Sequence, residues 1–169
     1  MTSSSLPLPA SATRVELNTE EEINARIEAR STANVLQAFA GGQAAIDKRL
    51  KELEHEWDIE RALQANAATL LLLTLGLGFC EDRRWFAVPL IISGFLMQHA
   101  IEGWCPPVPV LRRLGFRTPR EIAIEVTALR LLRGDFKHPP HGPHEAFAIA
   151  KGKGGTEEQK LFWTPGDPQ

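Results

Sequence analysis

Two long stretches without a charged residue are the most constraining feature of this chain. They cover residues 62–80 and 85–101, and only the four charged residues 81–84 separate them. As α-helices, the first would be roughly 28 Å long and the second, extended to residue 104, roughly 30 Å, which matches a hydrocarbon core of about 30 Å. The pattern predicts a transmembrane helical hairpin.

The average composition hides this segregation. With 43% hydrophobic and 24% charged residues, the chain resembles an ordinary soluble domain. The apolar side chains are instead concentrated in residues 62–111, and the flanks carry nearly all the charge. A net charge of −2 gives no basis for a nucleic-acid partner, and two cysteines, Cys80 and Cys105, cannot form a disulfide framework. We therefore expect an all-α membrane protein with water-exposed ends.

The amino-terminal flank is predicted to be a disordered arm followed by two helices. Residues 1–18 are rich in Ser, Pro and Ala, which favours disorder. Thr19 and Glu22 have capping-box spacing, and Gly41-Gly42 should break the helix that they begin. Residues 19–61 are thus predicted to form amphipathic helices. Because no proline or glycine follows before the first apolar stretch, the second helix is expected to continue into it as one rod.

An apolar seam in the second of these helices requires a partner. Ile46, Leu50, Leu53 and Trp57 recur at spacings of four and three, beside charged neighbours. Two partners remain open. The seam could lie against the membrane surface or neighbouring helices of its own chain, or it could join a second copy in a dimer.

The carboxyl-terminal flank has a clear helix start at Thr118. Pro119 suits the first turn, and Glu121 has capping-box spacing from Thr118. Residues 119–134 are predicted to form an amphipathic surface helix that lies on the membrane or packs against the residue 43–64 helix. Its apolar stripe consists of Ile122, Val126, Leu129 and Leu132.

Residues 135–169 are predicted to form a flexible tail. His138, His141 and His144 would share one face of a polyproline segment. They lack further ligands, so we predict no metal site there.

The ends of the two apolar stretches indicate how the hairpin is placed. Trp57, Trp85 and Trp104 lie where indole rings settle at the headgroup boundary. Near the open end lie five arginines, against two at the tip, so both termini are expected in the cytoplasm. These arginines are Arg61, Arg112, Arg113, Arg117 and Arg120, and Arg83 and Arg84 at the tip. Small residues at Gly76, Gly78 and Ser93-Gly94 predict where the two spans pack closely.

His99 and Glu102 are ionisable residues at the end of the second stretch, which marks a possible intramembrane polar site. They could reach the interface or form hydrogen bonds across helices. His99, Glu102 and Cys105 recur every three residues, but three mixed ligands without a fourth are common by chance. We predict no metal and no other cofactor.

The turn after the second stretch resembles the YgaP-like inner-membrane transmembrane domain family. In that family the second helix ends in a Gly-aromatic-Cys-Pro turn, followed by a Leu-Gly-x-x-Thr segment. The matching residues here are Gly103, Trp104, Cys105, Pro106, Leu114, Gly115 and Thr118. The resemblance covers roughly residues 57–118 and departs at Pro107 and Pro109. It implies a two-pass protein of the bacterial inner membrane.

Some members of that family carry a rhodanese domain, which would link the hairpin to sulfur transfer, but the residues of this chain show no such domain. Cys105 remains the one candidate for chemistry, either as a reactive thiol or as a packing residue in a tight turn. The negative end of a helix dipole disfavours its thiolate, although Arg112 and Arg113 could offset that.

These observations predict a small integral inner-membrane accessory or assembly protein rather than an enzyme. Its partners would be membrane lipids and either further copies of itself or a larger membrane complex. Two alternatives remain: a membrane sulfur or redox carrier using Cys105, and a soluble helical-bundle interaction protein.

Overall fold

The computed structural model describes residues 9–136 together with residues 144 and 146, and the predicted all-α fold is confirmed. No β-strand occurs in these residues. The α-helices are α1 (Arg14–Leu17), α2 (Glu21–Ala40), α3 (Gly42–His55), α4 (Ile59–Cys80), α5 (Ala87–Glu102), α6 (Pro107–Arg113) and α7 (Pro119–Arg133). A 3₁₀ turn, Arg83–Phe86, joins α4 to α5. We call α4 and α5 the hairpin, and α1–α3, α6 and α7 the cap.

The hairpin has one narrow contact face on each helix. Beyond the first two turns of α4, the least exposed positions are Ala67, Leu71, Thr74 and Gly78, and those on α5 include Pro89, Ile92, Leu96 and His99. Their spacings of three and four place each set on one face of its helix. At the tip, the Asp82 side chain accepts the Arg84 backbone N–H at 2.8 Å. The two helices therefore pack along a single strip and leave the rest of their surface free.

The outer face of the hairpin is apolar and uncovered. Leu72 is 73% exposed, and the most apolar 18-residue windows of the two candidate spanning helices are only 22% and 11% buried. By length and composition both helices can cross a membrane. The exposed apolar side chains are Leu70, Leu72, Leu73, Leu75, Leu77 and Phe79 on α4, and Leu90, Ile91, Phe95, Met97 and Ile101 on α5.

The cap has an interior of the usual globular kind. One cluster joins it to the hairpin and comprises Val15, Ile59, Leu63, Cys105 and Val108. The other comprises Ala38, Ile46, Leu50, Leu53 and Leu129, with Ile122 and Val126 packed against it. Ile46, Leu50 and Leu53 of the predicted seam thus find their partners within the chain, on α2 and α7, whereas Trp57 is exposed. Ile122, Val126 and Leu129 of the α7 stripe pack into this cluster, and Leu132 is exposed.

The predicted continuous rod from α3 into α4 is wrong. Residues 56–58 are not helical, and Glu56 and Asp58 have extended backbone. The Asp58 side chain accepts the Arg61 backbone N–H at 2.8 Å and begins a new helix. The Ile59 N–H donates to the Arg117 carbonyl at 2.8 Å, which ties this break to the α6–α7 turn.

The predicted disordered arm over residues 1–18 is wrong where it reaches α1. Residues 14–17 are helical, and Val15 is buried in the cluster at the base of the hairpin. The predicted Thr19 capping box is also wrong, because its hydroxyl donates to the Val15 carbonyl at 2.7 Å and accepts from Arg112 Nε at 3.2 Å. Helix α2 begins without a side-chain cap.

The predicted box at α7 is present. Thr118 Oγ1 accepts the Glu121 N–H at 3.1 Å, and the Glu121 carboxylate accepts the Thr118 N–H at 2.7 Å. Helix α7 thus begins where the sequence predicts.

Only one of the predicted small-residue patches lies at a close contact. A Cβ at Gly78 would lie 2.7 Å from the Phe86 ring, and that ring meets Phe79 edge-on at 5.1 Å between centroids. A Cβ at Gly76 or Gly94 would meet nothing within 4 Å. Packing of the spans through Gly76 and Ser93-Gly94 is therefore wrong, because these residues lie off the strip where α4 and α5 touch.

Candidate functional site

The open end of the hairpin, where it meets the cap, gathers most of the buried polar side chains that the structure describes. Helix α5 ends at Gly103, whose φ is +81°, a conformation that favours glycine. A Cβ there would lie 2.6 Å from the Arg14 backbone. Glycine therefore lets α1 pack directly against the turn that follows the hairpin.

A first polar cluster joins His99 to Glu60 and Arg14. His99 Nε2 lies 2.9 Å from Glu60 Oε2, and Arg14 Nη2 donates to Glu60 Oε1 at 2.8 Å. A carboxylate only accepts, so Nε2 of the buried imidazole carries the proton. Its Nδ1 has no partner among the described residues. The sequence left two alternatives for His99, reaching the membrane interface or forming a hydrogen bond across helices. The structure has the hydrogen bond, from α5 to Glu60 on α4.

Glu102 does not join this cluster. Its carboxylate is exposed and accepts from Gln98 Nε2 at 3.3 Å, while its carbonyl accepts from Asn18 at 2.7 Å. In the described residues no group of three or more His, Cys, Asp or Glu side chains is placed to hold a metal ion. The tail histidines, for which the sequence predicts no metal site, lie outside the described residues apart from His144.

A second cluster centres on Arg112, which is 1% exposed. Its guanidinium forms a fork with Glu121, with both N···O distances 2.7 Å, and also donates to Asn24 Oδ1 at 2.7 Å. It donates further to the Phe116 carbonyl and to Thr19. This one side chain therefore ties α2 to α6 and α7.

The pKa of Glu121 is held below its ordinary value. Burial alone would raise the pKa, but hydrogen bonds from the Arg112 guanidinium and the Thr118 backbone outweigh it. The carboxylate is thus charged at neutral pH and paired with a buried cation.

A third cluster surrounds Arg117. Its guanidinium forms a fork with Glu56 at 2.7 Å on both arms, and also donates to Glu125 and to Ser31 Oγ. Arg49 Nε donates to the other Glu125 oxygen at 2.8 Å. Burial lowers the pKa of Arg117, but these carboxylates raise it above its ordinary value. Arg49 also donates to Glu52 Oε2 at 3.1 Å, so the two cations share three carboxylates.

A cavity of 380 Å³ opens beside the third cluster, and we call it the Arg30 cavity. The Arg30 guanidinium lies over Gly115, since a Cβ there would be 3.2 Å from Arg30 Nη1, and Gly115 has a φ of +91°. The lining residues are Arg30, Asn34, Arg49, Glu56, Trp57, Leu114, Gly115, Phe116 and Arg117.

Cys105 is buried among Val15, Val108 and their neighbours. Burial raises the pKa of its thiol, which disfavours the thiolate that sulfur chemistry requires. Arg112, which could have favoured the thiolate, is bound to Glu121 instead. The geometry fits a packing residue. Cys80 is exposed and both cysteines are free.

The remaining residues of the predicted motif are spread along the junction. Gly103 ends α5, Pro106 and Thr118 precede α6 and α7, and Leu114 and Gly115 line the cavity. Trp104 is half-buried.

Sequence reasoning missed the carboxylate partners of the buried arginines. One signal was present: Glu121 and Glu125 are four residues apart, which places both on one face of α7.

No protein-family model matches this chain, and no curated protein or solved structure gives a significant match. We therefore infer its function from the contacts described above.

Proposed function

We propose that this chain is a small integral membrane protein whose hairpin crosses the bilayer twice and whose cap acts as an accessory or assembly module on one side. The observation that carries this proposal is the uncovered apolar surface of α4 and α5. Removing a fully exposed Leu or Phe from water is favourable by about 1.5–3 kcal/mol. The eleven apolar side chains of this surface are 37–81% exposed, and together they are far better matched to lipid than to water.

The arrangement of the cap supports a single orientation. All cap helices adjoin the open end of the hairpin in sequence, and the opposite end consists only of the tip, residues 81–84. Exposed basic residues such as Arg61 and Arg113 lie beside the open end, which favours the cytoplasmic side. The Gly103 to Pro106 turn supports the further proposal of a YgaP-like hairpin in the bacterial inner membrane.

Apolar residues on the cap support a role in assembly. Leu36 and Phe39 on α2 and Leu131 on α7 are exposed, although this part of the chain is built like a water-soluble domain. Exposed apolar side chains on such a domain suit contact with another subunit or a second copy. The buried thiol of Cys105 lends no comparable support to a sulfur or redox carrier.

The topology is tested by labelling Cys80 in intact bacterial spheroplasts with a membrane-impermeant maleimide. We expect Cys80 to react, because it is exposed at the hairpin tip, and Cys80→Ser to abolish labelling. An Arg26→Cys change in the Cys80→Ser background places a thiol on the exposed face of α2 and should react only after lysis.

Equal labelling of both positions in intact spheroplasts would contradict the two-pass topology. Release of the chain from membranes by alkaline carbonate would contradict membrane integration itself. Light scattering in detergent then gives the number of copies, and a single copy without a partner in native membranes would contradict the assembly role.

A further inference from the structure

We propose that the Arg30 cavity binds the phosphate headgroup of an acidic phospholipid from the leaflet that faces the cap. This inference rests on the proposed membrane location. It goes further by assigning a ligand class and a binding site.

Three arginines but only one carboxylate, Glu56, line the cavity. Arg49 and Arg117 are paired with Glu52, Glu56 and Glu125. Arg30 makes no ion pair or side-chain hydrogen bond with any described residue. The cavity therefore presents a free guanidinium that suits an anion.

The neighbours of Arg30 on α2 keep it free. The residues four positions away on either side are Arg26 and Asn34, so no carboxylate has the helical spacing that would pair with it. The Asn34 amide also lines the cavity and has no side-chain partner in the described part of the chain. A guanidinium and an amide on one wall supply several N–H donors, which match the oxygens of a phosphate.

Three apolar side chains in the lining favour a lipid over a free anion. They are Trp57, Leu114 and Phe116, and Trp57 and Leu114 are exposed. An inorganic phosphate would leave these side chains in contact with water. A phospholipid would place its glycerol and upper acyl carbons against them while its phosphate meets Arg30.

The depth of the cavity also fits a headgroup. Trp57 lies just before α4 and five residues before the first apolar stretch, which is close to the end of the proposed span. Indole rings settle at this level of a bilayer. The Arg61 guanidinium lies 4.8 Å from the centre of the Trp57 ring, which adds a second cation at the same depth.

The test uses the full chain purified in detergent. Phosphatidylglycerol, phosphatidylcholine and inorganic phosphate are titrated separately, and binding is measured by native mass spectrometry and by the rise in unfolding temperature. The variants are Arg30→Gln, Asn34→Ala and, as the matched control, Arg26→Gln. Arg26 is an exposed arginine one helical turn away that does not line the cavity.

We expect phosphatidylglycerol to bind the natural chain more tightly than the other two probes. Arg30→Gln should weaken this binding about tenfold, because a charge-assisted pair is lost. Asn34→Ala should weaken it by a smaller factor, and Arg26→Gln should leave it within about twofold, as expected for long-range charge alone. The unfolding temperature without lipid should not change in Arg30→Gln, since Arg30 has no partner to lose.

Three results would overturn the inference. The first is phosphatidylglycerol binding that does not change in Arg30→Gln, and the second is a loss of that binding in Arg26→Gln as large as in Arg30→Gln. The third is inorganic phosphate that binds as tightly as the lipid. Alkaline carbonate extraction of the same variants separates this failure from that of the proposed function. A natural chain that stays in the membrane but does not bind phosphatidylglycerol, or that loses this binding equally in Arg30→Gln and Arg26→Gln, contradicts only the cavity.

Discussion

The cap and the hairpin are both helical, yet their side chains are distributed by opposite rules. In the cap, leucines such as Leu129 lie inside, and the buried arginines Arg112 and Arg117 are each matched by carboxylates. In the hairpin, Leu72 faces outward and only a narrow strip on each helix is covered. The contrast shows which surroundings each region is suited to, since lipid stabilises an apolar surface that water does not.

This difference determines what each region tolerates. The cap depends on charges that are already paired in its interior, so losing one partner leaves another buried and unpaired. The hairpin depends on the absence of charge, so gaining one on its outer face is costly. Four substitution experiments test the contrast.

The largest effect is expected from Arg112→Ala in the cap. It removes the cation from Glu121 and leaves Asn24 and Thr19 without their donor, which should destabilise the cap by about 3–5 kcal/mol. Chemical denaturation followed by circular dichroism measures this. Arg113→Ala is the matched control, because Arg113 pairs with the exposed Glu20, and its loss should cost at most about 1 kcal/mol. Equal losses would mean that Arg112 does not organise the cap.

Leu72→Arg should prevent stable insertion of the hairpin. In a bilayer the change costs about 2.5–3.5 kcal/mol near the middle of a span. Ile124→Arg on α7 is the control, since Ile124 is 55% exposed against 73% for Leu72. On a water-exposed surface it should change stability by no more than about 0.5 kcal/mol. The fraction of chain that resists carbonate extraction reports insertion, and similar behaviour of the two variants would argue for a water-exposed hairpin.

Gly78→Ala should loosen the tip of the hairpin. The added methyl group would overlap the Phe86 ring, and such overpacking costs about 1–3 kcal/mol. Gly76→Ala adds the same group two residues away in open space and should not weaken the hairpin. Unfolding in mixed micelles compares them, and a loss of stability in both would contradict the contact between Gly78 and Phe86.

The smallest effect is the dependence of cap stability on acid. The pKa of Glu121 is lower in the folded state than its ordinary value of 4.5, so its contribution is present above that value. The contribution is lost as the pH falls below 4.5 and through the lowered pKa of the folded protein. The unfolding temperature should fall over this range, and Glu121→Gln should flatten the fall. An unchanged slope in the variant would assign the acid dependence to other groups.

Local signals explain the parts of the fold that the sequence predicted correctly. The uncharged stretches, the Thr118 capping box and the break after Ala40 each depend on neighbouring residues in one helix or turn. The predicted Thr19 box is wrong because a distant residue intervenes. Arg112, 93 positions later in the chain, donates to the Thr19 hydroxyl.

The candidate site was harder to predict because it is made by distant pairs. In the sequence, Arg112 and Arg117 cannot be told from exposed arginines near the end of a span. They were therefore predicted to be basic residues that orient the hairpin. Only the fold brings them against Glu121, Glu125 and Glu56. No sequence signal marked Arg30, because its proposed role in lipid binding depends on the absence of a carboxylate partner.

The way that α1 is held has a consequence for how the protein is made. Val15 packs with Cys105 and Val108, and Asn18 donates to the Glu102 carbonyl, a partner 84 positions later in the chain. The ribosome therefore synthesises α1 long before its binding site, with both apolar helices in between. Docking of α1 has to wait until the second helix has been released and turned back, so a closed cap marks a chain whose hairpin has already formed.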